Sequence, residues 1–168
     1  MLWLAAHINR LNDAVGRSAA WLVLLMVLVQ FGVVVARYIF GIGSILMQEA
    51  VIYMHGCLFM LAAADTLLKD EHVRVDIFYA RLSARRKALI DILGCALLVV
   101  PICVLILLVS WDYVAIAWSV REGSRETSGI QGVYLLKSVI LLFAALLFLQ
   151  AISLILTNLT RLKDGENA

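Results

Sequence analysis

The segment AAWLVLLMVLVQFGVVVA, residues Ala19–Ala36, contains a single strongly polar side chain, Gln30. A helix that crosses the hydrocarbon core of a bilayer needs about 20 mainly apolar residues, and this run is close to that length. Further apolar runs of similar length follow at residues 45–68, 89–111 and 133–156. Backbone N–H and C=O groups in hydrocarbon must bond within the protein, which favours helices. The sequence therefore predicts an all-α membrane protein with four transmembrane helices in one domain, residues 1–168.

Composition agrees with that prediction and excludes several classes of protein. The chain is 64% hydrophobic and 15% charged, with a mean hydropathy of +0.98, whereas soluble domains are nearer half apolar and a quarter charged. The net charge of +2 and the lack of a basic stripe interleaved with aromatic residues argue against nucleic-acid binding. The three cysteines lie in apolar runs without a CxxC pair, so we expect them to be small packing residues.

The segment before the first apolar run has an apolar periodicity of its own. Leu4, Ile8, Leu11 and Val15 recur at helical spacing, and polar residues fall between them. This pattern predicts an N-terminal amphipathic helix lying along the membrane interface. A plain extension of the first transmembrane helix is the alternative, and the pattern does not decide between them.

The distribution of lysine and arginine predicts the orientation in the membrane. Ten of these residues fall in the N-terminal tail, the second loop and the C-terminal tail, and three fall on the other side. Both termini and the basic loop ARLSARRK, residues 80–87, are therefore expected in the cytoplasm. Within that loop, Ser83 is positioned to cap the third helix.

Charged residues near the outer end of the bundle are expected to pair with one another. Glu49 lies about one turn inside the second helix, and Lys137 lies about one turn inside the fourth. Arg37 closes the first helix at the same level. We expect these three residues to approach one another, with Glu49 as the shared anion. The functional alternative is that Glu49 binds a coupling cation or proton.

Polar residues deeper in the bundle are interpreted as packing groups. Asp65 precedes Lys69 by four residues, which suits an ion pair along one helix face. His55 is interpreted as a satisfied packing histidine, because a haem site would need a second histidine within the membrane. Gln30 and Gln150 are expected to hydrogen-bond between helices. No nucleophile constellation, glycine-rich phosphate loop or zinc-ligand spacing is present, so neither enzyme activity nor a cofactor is predicted.

Several short segments occur in the order typical of one membrane-protein family. Arg-Tyr-Ile-Phe at residues 37–40 follows the first helix, and Gln48-Glu49 opens the second. His72-Val73-Arg74-Val75-Asp76 follows the second helix. REGSRETSG, residues 121–129, precedes the fourth helix with its Lys137. Together these segments resemble the DctQ-type small membrane subunit of tripartite ATP-independent periplasmic (TRAP) transporters.

This resemblance implies a role in sodium-coupled uptake of an organic acid anion across the bacterial inner membrane. The implied partners are a large membrane subunit of the DctM type, a periplasmic solute-binding protein of the DctP type, and membrane lipids. A small subunit of this kind is a scaffold that forms neither the substrate site nor the sodium site. The alternative is a self-sufficient small oligomeric transporter that uses Glu49 or Asp65 as its coupling acid.

The resemblance also implies interface roles for several charged residues. Arg37 and Glu49 would fix the first two helices together, and His72, Arg74 and Asp76 would order the cytoplasmic loop. Four residues of the outer loop are candidate contacts for the binding protein: Arg121, Glu122, Arg125 and Glu126. A solvated loop without such contacts is the competing interpretation.

Overall fold

The computed structural model of the chain describes residues 2–72, 79 and 82–164. The helical elements are α1 (Leu2–Phe40), α2 (Ile45–Leu68), α3 (Ala84–Gly94), a π-helical turn (Cys95–Val99), α4 (Val100–Ser119) and α5 (Val133–Asp164). α3, the π-helical turn and α4 form one uninterrupted rod, Ala84–Ser119. Within the described residues, four helical rods are therefore long and apolar enough to cross a membrane, as the sequence predicts.

The N-terminal segment is the first part of α1 and does not form a separate interfacial helix. α1 runs without a break for 39 residues, or about 58 Å at 1.5 Å per residue. Its buried face holds Ala5, Ile8, Asn12 and Gly16, whereas Leu4 and Leu11 of the predicted apolar stripe are exposed. Ile8 of that stripe is thus buried while Leu4 and Leu11 are not, and the amphipathic, interfacial character of this segment stays a prediction. The buried face itself holds small and amide side chains, which permit a closer helix contact than leucines do.

Close contacts place the helices antiparallel and define the two ends of the bundle. Gly32 lies beside Met47, and Gly16 lies beside Asp65, so α1 and α2 run in opposite directions. One end of the bundle holds the N-terminus of α1 and the C-termini of α2 and α5, and we call it the basic end. The opposite end carries the segments 41–44 and 120–132. α2 ends at Leu68, whereas α1, α3 and α5 continue further toward the basic end.

A π-helical turn interrupts the third rod just before its proline. Pro101 has no N–H, and its ring would crowd the carbonyl of the residue four positions earlier in an ideal α-helix. The Val100 N–H donates to the Cys95 carbonyl oxygen, five residues back, which is the π-helical pattern. The wider turn accommodates the proline and keeps the rod continuous to Ser119.

The interior of the bundle consists mostly of small side chains. The most deeply buried apolar residues are Ala64, Cys103, Ala117, Ala144 and Ala151. Large leucine, isoleucine, valine and aromatic side chains, by contrast, dominate the exposed surfaces of α1 and α4. This distribution is typical of membrane helices, which associate through close backbone approach because lipid is as apolar as leucine.

Candidate functional site

At the opposite end, Glu49 connects α2 to the loop before α5. The Ser124 hydroxyl donates to Glu49 Oε1, and the Ile130 N–H donates to Oε2 at 2.6 Å. Gly129 lies so close that a Cβ at this position would be 2.6 Å from Oε2. Glu49 therefore satisfies polar groups of the 120–132 loop and holds that loop against α2.

Lys137 forms an ion pair with Glu122 and not with Glu49, the partner expected from the sequence. Its ammonium donates to Glu122 Oε2 at 2.5 Å and lies 3.9 Å from the centre of the Tyr113 ring. Arg37 is exposed and forms no ion pair within the described residues. The predicted cluster around Glu49 is therefore wrong, because the loop folds back and supplies acceptors and donors of its own.

At the basic end, Asp65 and Lys69 form the predicted ion pair, with 2.6 Å between Nζ and Oδ2. Lys69 also lies 3.8 Å from Asp13 of α1, a contact that was not predicted. The hydrogen bond to Asp65 raises the pKa of Lys69 above its ordinary value. Asp65 packs directly on Gly16 of α1, so this group joins the two helices.

Four side chains of α1 and α5 form a buried polar network at the basic end. Asn12 Nδ2 donates to Gln150 Oε1 at 2.7 Å, and Gln150 Nε2 donates to Asn9 Oδ1 at 3.1 Å. The Ser153 hydroxyl donates to the same Asn9 oxygen at 2.7 Å. The predicted interhelical role of Gln150 is confirmed, since its side chain is fully buried between the helices.

Two buried acceptor atoms have no partner in the part of the chain that the structure describes. They are Asn12 Oδ1 and Asp65 Oδ1. Asn12 lies one helical turn from Gly16, on which Asp65 packs. Both atoms therefore belong to the same junction of α1 with its neighbours.

Two polar side chains in the middle of the spans face outward from the bundle. Gln30 and His55 are exposed, and neither makes a hydrogen bond to a described residue. The His55 ring lies near the ring of Phe59, with 6.5 Å between centroids. The interpretation of His55 as a satisfied packing residue is wrong within this chain, and so is the interhelical bond expected of Gln30.

Two adjoining cavities lie at the basic end, where α2 stops short of its neighbours. The first has a volume of about 510 Å³ and lies at the start of α3 against the end of α5. The second, of about 760 Å³, extends along the two helices to the π-helical turn. Four residues line both cavities: Tyr79, Asp91, Asn158 and Arg161. A third cavity, of about 280 Å³, lies between α1 and α2 beside Gln30.

The structure also places the remaining residues selected from the sequence. Ser83 is the N-cap of α3, as expected, although its side chain makes no capping hydrogen bond. His72 is exposed, and Arg74 and Asp76 lie outside the described residues. Among the loop candidates, Arg121, Arg125 and Glu126 are exposed.

Glu122 departs from the other loop candidates because it pairs with Lys137. Its carboxylate therefore helps to close the opposite end of the bundle.

A family model described as "Tripartite ATP-independent periplasmic transporters, DctQ component" matches residues 26–161. The chain belongs to this family. The resemblance read from its short segments is thereby confirmed, and a DctQ protein is a transporter component with membrane and binding-protein partners, not an enzyme. No curated protein sequence and no solved structure matches the chain.

The DctQ segments acquire physical roles in this geometry. Ser124, from the Glu-Gly-Ser segment before α5, is bonded to the Glu49 that opens α2. Two family segments 75 residues apart in sequence therefore form one contact. The roles of Asn9 and Asn12 were not predicted, although Ala5, Asn9, Asn12 and Gly16 form a stripe of small and amide residues at helical spacing.

Proposed function

We propose that this DctQ protein is the scaffold subunit, without a substrate site, of a sodium-coupled TRAP transporter that imports an organic acid anion. Its large partner would be of the DctM type, and its periplasmic binding protein of the DctP type. Both termini would lie in the cytoplasm, and the chain would reside in the bacterial inner membrane. Family membership supports the transporter, and the internal contacts of the bundle support the scaffold role.

The observation that carries this proposal is that charged side chains of α2 and α5 already bond to other groups of this chain. Glu49 accepts from the loop, Asp65 binds Lys69, and Lys137 binds Glu122. None of the three cavities described above is lined by Glu49 or Asp65. A carboxylate held in this way joins helices and loops, and it is poorly placed to take up and release a coupling ion.

The outward-facing Gln30 and His55 support a partner within the membrane. A polar group left without a hydrogen bond in hydrocarbon is costly, and lipid tails cannot supply one. A helix of the large subunit that carries polar side chains would satisfy both groups. This is the arrangement expected of a scaffold that binds laterally.

One observation favours the alternative of an independent transporter. Asp65 Oδ1 is buried without a partner in the described residues, and an unsatisfied buried carboxylate oxygen is a natural acceptor for a cation or proton. Transport through this chain alone would then depend on Asp65.

Reconstitution separates the two functions. The purified chain, alone in liposomes, should show no influx of radioactive sodium above empty liposomes. The tagged chain, extracted from its native membranes in mild detergent, should co-purify with a DctM-type protein identified by mass spectrometry. Sodium influx through the chain alone that disappears in Asp65→Asn would refute the scaffold function.

A further inference from the structure

The two adjoining cavities at the basic end form one groove between α3 and α5, which we call the α3–α5 groove. Asn158 and Arg161 of α5 line both cavities, so the two volumes are continuous along one wall. The groove exists because α2 ends at Leu68, which lines only its inner part. Beyond Leu68, α2 no longer covers α3 and α5.

Asn158 gives the groove a polar group with which an occupant can bond. Its side chain is 5% exposed, and it makes no hydrogen bond to any described residue. Its amide atoms are not among the described polar atoms that are buried without a partner, so they reach the space of the groove, where another molecule or water can satisfy them. The amide lines both cavities and is positioned to donate to a group held between them.

The charge around the outer part of the groove selects an anion. Arg161 lies about one turn beyond Asn158 on the same helix, and Lys87 and Arg85 of α3 complete the rim. Asp91 lines both cavities, with its Oδ2 already accepting from the Tyr79 hydroxyl at 2.9 Å, and Asp70 lines the second. The described lining of the first cavity has three basic residues and one acid, so this outer part is the basic part of the groove. Arginine is well suited to phosphate because its planar donors bind two oxygens at once.

The start of α3 adds backbone donors to the same place. The N-cap Ser83 lines the first cavity, and its side chain makes no bond to the first turn. The first amide groups of a helix have no partner within the helix, and the helix dipole favours negative charge there. A phosphate near Ser83 and Arg161 would meet these amides as well as the basic side chains.

The inner part of the groove is apolar and runs toward the middle of the bundle. Ile90, Leu98, Val99 and Leu154 line the second cavity. Free phosphate would leave this part empty, whereas a hydrocarbon chain would bury its surface there. Basic pockets between transmembrane helices are known to suit acidic lipid head groups.

We propose that the α3–α5 groove binds one anionic phospholipid. Its phosphate lies between Arg161, Asn158 and the first turn of α3, and one acyl chain follows Leu98 and Leu154 toward the π-helical turn. This lipid site is independent of the proposed transport role, since it depends only on the chain's being in a membrane.

Native mass spectrometry of the delipidated full chain in non-ionic detergent tests the site, with dioleoyl-phosphatidylglycerol and dioleoyl-phosphatidylcholine as probes. The wild type should retain one phosphatidylglycerol molecule in preference to phosphatidylcholine. Arg161→Gln should weaken phosphatidylglycerol binding about tenfold, the equivalent of one charge-assisted hydrogen bond. Arg161→Lys should recover part of the loss, and Asn158→Leu should also weaken binding.

Arg10→Gln is the matched control. Arg10 is an exposed arginine at the same end of the bundle, and it does not line either cavity. Its replacement removes the same charge and should leave lipid retention unchanged. The thermal midpoints of the arginine variants without lipid should equal that of the wild type, because Arg10 and Arg161 are exposed and outside the core.

Four results would overturn the proposal. If the wild type and Arg161→Gln retained phosphatidylglycerol equally well, Arg161 would not contact the lipid. If Arg10→Gln lost as much phosphatidylglycerol as Arg161→Gln, the lipid would be held by general attraction to the basic surface. Inorganic phosphate that displaces the lipid and stabilises the chain equally well would indicate a free-anion site. Finally, the chain could be purified together with its large partner. Absence of phosphatidylglycerol from that complex, with a cross-link from position 161 to the partner, would indicate that the groove is a protein interface.

Discussion

Replacing Gly16 with alanine should separate α1 from α2 at the basic end. A Cβ at this position would overlap Cβ, Cγ and Oδ2 of Asp65. Because Cβ is fixed to the backbone of α2, a change of rotamer cannot relieve the overlap and the helices must move apart. Overpacking of this kind costs about 1–3 kcal/mol, and the better helix propensity of alanine returns up to about 1 kcal/mol.

We therefore expect Gly16→Ala to lower the free energy of unfolding by about 1–2 kcal/mol, a factor of roughly 5–30 in the folding equilibrium. The measurement is unfolding by sodium dodecyl sulfate in mixed micelles, followed by far-ultraviolet circular dichroism. Gly32→Ala is the matched control on the same helix, since its Cβ would lie 3.5 Å from the flexible end of Met47. It should be neutral or slightly stabilising. If Gly16→Ala is as stable as Gly32→Ala, the close α1–α2 contact does not exist.

Three further perturbations test other contacts. Gln150→Leu should destabilise the isolated chain by about 1–3 kcal/mol, because it leaves the buried Asn12 amide of α1 without its acceptor. Gln30→Leu, on the outer surface, should cost nothing in the same unfolding assay, and equal losses would contradict the network. Glu49→Gln should speed proteolysis of the 120–132 loop and lower the yield of complex with the large subunit, whereas Glu126→Gln in the same loop should do neither; identical digestion patterns would argue against the Glu49 contact. Lys69 has a raised pKa from its carboxylate partner, so its stabilising contribution is complete below the ordinary lysine pKa of about 10.4 and is lost as the pH rises through the higher value of the folded state. The stability of Lys69→Met should therefore fall less than that of the wild type at strongly alkaline pH, and parallel curves would refute the coupling.

The helices were predictable because their signals are long and local. Each apolar run is nearly the thickness of a bilayer, and membranes allow few other backbone structures. The Asp65–Lys69 pair was predictable for the same reason, since four residues along one helix fix the two side chains next to each other. The π-helical turn before Pro101 was not predicted, because proline signals a distortion without specifying how the helix adapts.

Contacts that depend on how a loop folds back onto the helices could not be predicted from the sequence. Charge alone suggested that Glu49 would take Lys137, but the 120–132 loop places Glu122 against Lys137 and gives Glu49 a hydroxyl and a backbone amide. The face by which α1 packs on its neighbours was not predicted either, because hydrophobicity draws attention to Leu4 and Leu11. The helices instead meet through residues small enough for close approach, as Gly16 shows.

The length of α1 has a mechanical consequence. Its first dozen residues extend past the end of α2, and the amide network joins them to α5. An overhang of about 20 Å at 1.5 Å per residue therefore moves as a stiff lever with the rest of the rod. A tilt of about 10°, within the range that bilayers of different thickness impose, would swing its tip sideways by roughly 3–4 Å.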